Sequence, residues 1–208
     1  VAGDIVYGNG TSLENRADIL NFTENDFLNE GGAFVVPHQS GPITSMNFLQ
    51  AQDTSLGQGV LLVGTTNSVI SINAPVDRMT WKDLRYPIQT ISLLDYGPES
   101  PRATISMNND MWYRSQDGWR SYITAHRYFG TLGNTPMSHE IGPLISFDTP
   151  FLLFYGSSVL FDNRLLQTFS PTRTEHGIVH RGLVSLNLDL ISSIYEKAPP
   201  AYEGAFTG

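Results

Sequence analysis

Apolar residues in this chain come in short runs and alternations, and no long stretch places them at i, i+3, i+4 and i+7. Residues 59–72 read GVLLVGTTNSVISI, two apolar halves around a polar turn at Thr65-Thr66-Asn67-Ser68, which predicts a hairpin. Residues 111–123 read MWYRSQDGWRSYI and predict a second, turning at Gln116-Asp117-Gly118, where Asp-Gly accommodates the positive φ of a tight turn. A third runs from Val159-Leu160-Phe161 through Asp162-Asn163 to Arg164-Leu165-Leu166. Thr104 to Met107 alternates and turns at Asn108-Asn109-Asp110. Strands at 104–107, 111–115 and 119–123 therefore form a predicted meander. Helical signals are few. Thr23 to Leu28 offers an N-cap residue and acids in its first turn. Leu188 to Glu196 has β-branched residues that suit a strand equally. Apolar runs such as Phe151 to Tyr155 are strand-sized.

The first two hairpins align without gaps at a shift of 50 residues: Leu61-Leu62-Val63 falls on Met111-Trp112-Tyr113, and Val69-Ile70-Ser71-Ile72 on Trp119-Arg120-Ser121-Tyr122. The turn at Asp162-Asn163 follows 53 residues after Asn109-Asp110. A meander recurring at about 50 residues predicts an all-β fold of antiparallel meanders forming β-propeller blades. Inner blade strands are covered on both sides and become apolar on both faces, as Val60 to Val63 is; outer strands alternate, as Thr104 to Met107 does. A β-sandwich or jelly roll also spaces hairpins regularly and is the competing architecture.

Composition narrows the function. The 208 residues are 40% hydrophobic and 11% aromatic, enough for a sizeable core, and 19 Gly and 12 Pro supply many turns. We expect one propeller-type domain over 1–208, an incomplete propeller or a portion of a longer polypeptide. The net charge of −8 comes without any basic cluster, which argues against specific nucleic-acid binding; a surface lining a path for DNA without gripping it is compatible. With no Cys, disulfides, thiolate metal sites and Cys nucleophiles are excluded. No apolar run approaches the ~18 residues of a membrane-spanning helix.

Catalytic patterns are sparse. His176 and His180 are four apart. On a strand that spacing is ~13 Å at ~3.3 Å per residue, too far for one metal, and Gly177 with two β-branched residues disfavours a helix. His126 and His139 lack ligand-like spacing. Asp110, Asp117, Asp162 and Asp189 lie at or near predicted turns and Glu99 in a Pro-rich loop, where local backbone bonding explains most of these acids better than a glycosidase pair. No nucleophile elbow, P-loop or dinucleotide motif occurs. Trp112, Tyr113, Trp119 and Tyr122 crowd one meander; we read them as packing between blades, with a sugar platform as the other possibility. Tyr128, Phe129, Tyr202 and Phe206 are candidate interface anchors. No cofactor or metal is expected.

GDIVYGNGTS at 3–12, FTENDFLNEGG at 22–32, TTNSVISI at 65–72, MWYRSQDGWRSY at 111–122, VLFDNRLL at 159–166, HRGLVSLNLD at 180–189 and PPAYEGAFTG at 199–208 resemble virion proteins of tailed bacteriophages. The likeness is to propeller-bearing nozzle or tail-tube proteins of short-tailed phages. It implies a non-enzymatic structural protein located in the virion tail. It also implies a homo-oligomeric ring in contact with portal and other tail components. Such proteins are much longer than this chain. The competing function is a carbohydrate-binding or carbohydrate-active propeller.

Overall fold

The computed structural model describes residues 5–7, 33–49, 60–72, 88–89, 96–128, 136–138, 141–146, 148–169, 172–173, 179–180, 182–189 and 202–206. Strands dominate. The first are β1 (Ile5–Tyr7), β2 (Ala33–Val35), β3 (Ile43–Phe48), β4 (Leu61–Thr65), β5 (Val69–Ile72) and β6 (Ile88–Gln89). Then come β7 (Thr104–Met107), β8 (Asp110–Ser115) and β9 (Gly118–Ser121), followed by short helices α1 (Tyr122–Tyr128), α2 (Gly142–Ser146) and α3 (Pro150–Leu153). The last are β10 (Ser158–Phe161), β11 (Arg164–Thr168), β12 (Thr172–Arg173), β13 (Val179–His180), β14 (Leu183–Asn187) and β15 (Tyr202–Phe206).

They form three antiparallel sheets in chain order, β3-β4-β5-β6, β7-β8-β9 and β10-β11-β14-β15, besides the two-stranded pairs β1-β2 and β12-β13. The protein is all-β with few helical turns. The described residues show no closed ring of sheets.

The 50-residue shift holds at the level of hydrogen-bonded register. Leu62↔Ser71, Val63↔Ile70 and Gly64↔Val69 in the first sheet become Trp112↔Ser121, Tyr113↔Arg120 and Arg114↔Trp119 in the second. The first two strands of the third sheet repeat those of the second at a shift of 54, one more than the sequence suggested: Thr104↔Tyr113 becomes Ser158↔Gln167, whereas its third strand, β14, follows the separate β12-β13 pair and leaves that spacing. The turns explain the one-residue difference. Asn108 and Asn109 take left-handed φ values of 50° and 60°, and Asp162 and Asn163 take 48° and 53°. These are the two-residue hairpin turns whose twist matches the strands, so Asn108-Asn109 is the turn and Asp110 opens β8.

The sheets stack face to face, each turning the same face back along the chain. Val63, Ile70 and Ile72 of the first sheet bury against Val36. Its other face, Leu62 and Val69, meets Met111, Tyr113 and Tyr122. The forward face of the second sheet, Met107, Trp112 and Trp119, packs on Leu165, Val184 and Leu186 of the third. Apart from its opening Asp110, β8 is buried on both faces, as a strand between two sheets must be. The four aromatics of this meander are core residues. The first strands of successive sheets, β3, β7 and β10, also approach one another.

One local expectation is corrected. The strand expected over 119–123 ends at Ser121, and α1 begins. Thr124 N–H donates to Ser121 Oγ (3.1 Å), the third-position bond of an N-cap serine. Ile123 N–H donates to Asp110 Oδ1 (3.0 Å). The strand-sized apolar run Phe151 to Tyr155 starts in a helical turn: Pro150 opens α3, its φ preset at about −65° for a first helical position. The candidate helix at 23–28 and the loop 52–59 lie outside the described residues.

At Asn109 the left-handed conformation sets the cost of any side chain. Asn109→Gly should hold or raise the urea midpoint, whereas Asn109→Val should lower stability by about 1–2 kcal/mol. Denaturant titration of the two variants reads the difference.

Candidate functional site: the cleft around Arg114

Arg114 lies on the forward face of β8 and enters the joint between the second and third sheets. Its side chain is 1% exposed, and its Nη2 donates to Asp148 Oδ2 at 2.9 Å, a carboxylate itself 3% exposed. Nη1 donates to the Ser115 carbonyl at 2.6 Å. The guanidinium carbon stands 5.3 Å from the Phe169 ring centroid, a cation–π distance. Nε has no partner among the described residues. Burial pulls the Arg114 pKa below its ordinary value, and Asp148 counteracts this.

A cleft of about 260 Å³ opens beside this pair. Leu152, Leu153 and Tyr155 of α3 and its following turn form one wall, and Gln167 and Thr168 of β11 form another. Gln167 is buried; its Oε1 accepts from Ser158 Oγ and its Nε2 donates to the Thr168 carbonyl at 3.2 Å. Asp148 is the one acidic residue in the lining, and it is matched by Arg114. The chemistry of the cleft is that of a neutralised charge pair with amide and hydroxyl groups, suited to holding two sheets together.

The other acids singled out in the sequence stand in separate surroundings among the described residues. Asp110 Oδ1 accepts from Met111 N–H at 2.7 Å as well as from Ile123, and Oδ2 accepts from Ser121 Oγ at 2.5 Å. Burial raises the Asp110 pKa, and these hydrogen bonds oppose the rise. Asp117 pairs with Arg120 at 2.5 Å. Arg120 also stands 5.4 Å from the Tyr96 ring. Asp162 pairs with Arg164 at 2.9 Å on the surface, and Asp189 accepts from the Asn163 amide. Glu99 is pushed upward by burial and held back by Arg114. Asp110, Asp117, Asp162 and Asp189 thus have separate side-chain partners, and Asp110 also accepts from backbone N–H groups.

Gly118 shows how tightly the second sheet is dressed. With φ at 154°, it lies where a Cβ would sit 2.2 Å from Ser138 Oγ and 2.7 Å from Pro136 Cβ. That closeness lets residues 136–138 run beside β9: Met137 N–H donates to the Trp119 carbonyl at 2.8 Å, and Trp119 N–H to Ser138 Oγ at 2.9 Å.

The candidate interface residues are not brought together in one described site. Tyr128 ends α1, Tyr202 and Phe206 end the edge strand β15, and Phe129 lies outside the described residues. His126 and His180 fall in α1 and β13; His139, His176 and Trp81 lie outside the described residues. Among the described residues no group of three or more His, Asp or Glu could hold a metal ion. Sequence reasoning missed Arg114 and Asp148. The signal was available in part: Arg114 occupies a position in MWYRS whose neighbours on both sides are apolar or small.

Arg114→Met alone should strand the Asp148 carboxylate in the cleft and cost about 3–5 kcal/mol, while the double variant Arg114→Met/Asp148→Leu should recover most of that loss. Thermal and urea unfolding of the three proteins checks the pattern.

No family model matches the chain, and neither a curated protein nor a solved structure matches it.

Proposed function

We propose that this chain is a structural protein of a virion, a nozzle or tail-tube type component of a short-tailed bacteriophage tail. In this reading its three sheets are successive blades of a β-propeller. It works through contact and assembly, without bond chemistry, cofactor or specific nucleic-acid binding, as one subunit of a homo-oligomeric ring beside portal and other tail proteins. The observation that supports the blade reading is recurrence: three antiparallel sheets follow one another along the chain, hairpin registers recur at shifts of 50 and 54 residues, and successive sheets stack in the same direction. The resemblance of segments such as MWYRSQDGWRSY and VLFDNRLL to phage tail proteins points to the virion.

The carbohydrate reading draws less support. Its aromatics, Trp112, Tyr113, Trp119 and Tyr122, are buried between sheets, and its acids are bound into local ties. A sugar platform needs exposed aromatic faces, and a glycosidase needs two carboxylates facing one substrate.

Mass spectrometry and labelled electron microscopy of purified particles test the assignment. The chain is expected in the tail at a fixed copy number per particle, with no hydrolysis of host polysaccharide by the purified protein. Its presence solely as a soluble, hydrolytically active protein in lysate would overturn the reading.

A further inference from the structure

Among the described residues the stack ends in two apolar surfaces. Ile105 and Met107 of β7 share the forward face with Trp112, and both pack into the joint with the third sheet. Their equivalents at the 54-residue shift are Val159 and Phe161 of β10, on the face of Leu166 and Arg164, opposite to buried Leu165. Here no fourth sheet follows among the described residues. Val159 is 55% and Phe161 68% exposed. At the other end, Met46 and Phe48 of β3 pair with Val63 and Leu61, so they lie on the rear face of the first sheet. They are 44% and 50% exposed, although the neighbouring part of that face is closed by Val36. The opening at each end is thus in the first strand of its sheet.

We infer that a second copy of this chain stacks head to tail on the first, its β3 rear face against the β10 forward face, and so continues the joint that already links successive sheets. The inference deepens the ring assembly proposed above and rests on it. Three features favour a second copy in this orientation. Among the described residues, the first sheet meets the second and the second meets the third by forward face on rear face. Both open faces place large apolar side chains on the first strand, the strand that comes closest to its counterpart in the neighbouring sheet. Neither β3 nor residues 149–161 contain a charged residue, and Arg164, which shares the forward face beside Phe161, is already paired with Asp162, so the contact buries no unpaired charge. A head-to-tail contact is heterologous and either closes a ring or runs on.

Complementation tests the direction of the contact. The purified full chain is followed by light scattering and analytical ultracentrifugation over a range of concentrations, and wild type is expected to associate. Phe161→Lys removes the forward face and Phe48→Lys the rear face; both side chains are exposed, and circular dichroism checks that each variant keeps its fold. Each variant alone should be monomeric. An equal mixture should form a dimer and nothing larger, because one intact joint remains. A wild type that stays monomeric throughout overturns the inference. Continued self-association of Phe48→Lys also overturns it, since that indicates a two-fold contact through β10. A chain that assembles in this way yet is missing from particles defeats the virion reading alone, whereas a monomeric chain found in tails defeats this inference alone.

Discussion

Burial of β8 on both faces is the constraint on which the architecture depends. Met111 and Tyr113 point to the first sheet and Trp112 to the third, so one strand belongs to two cores. A strand in that position has little access to water, and its backbone groups must be satisfied within its own sheet. The register with β7 and β9 therefore cannot slip: a one-residue shift would exchange the two cores, placing Arg114 where Tyr113 packs. The left-handed turn at Asn108-Asn109 and the tight approach at Gly118 fix that register from both ends.

A buried arginine in such a strand needs a counter-charge, and the chain supplies one from outside the sheet. Asp148 sits between α2 and α3, so pairing with Arg114 draws this helical segment against the second and third sheets. The same segment leads directly into β10. Charge neutralisation in the cleft thus helps position the strand that carries the open forward face. A cleft of this kind stabilises a joint between sheets.

Much of the strand pattern was legible in the sequence because its signals are local. Alternation, Asn-Asn and Asp-Asn turns and apolar runs at a fixed shift each involve few residues, and they located β4, β5, β7, β8, β10 and β11. What was illegible depended on tertiary context. The helical turn α3 at the strand-sized run Phe151 to Tyr155 is accompanied by Pro150 and by the pairing of Asp148 with Arg114. The end of β9 depends on Asp110, thirteen residues upstream of the Ile123 N–H it accepts from. The Arg114–Asp148 pair spans 34 residues, a separation no local motif encodes. The exposure of Val159 and Phe161 was equally hidden, because an uncovered face has the same composition as a covered one.

The claim at the centre is that the three sheets form one cooperative stack through β8. Native-state hydrogen exchange tests it most directly, since amides that open only with the whole structure share one free energy. Amides of Met111 to Ser115 should be the slowest, and those of Leu62–Val63 in β4 and Leu165–Leu166 in β11 should exchange with the same free energy and denaturant dependence. Independent, lower free energies for β4 and β11 would contradict the stack, for each sheet would then open without the strand that is said to join them.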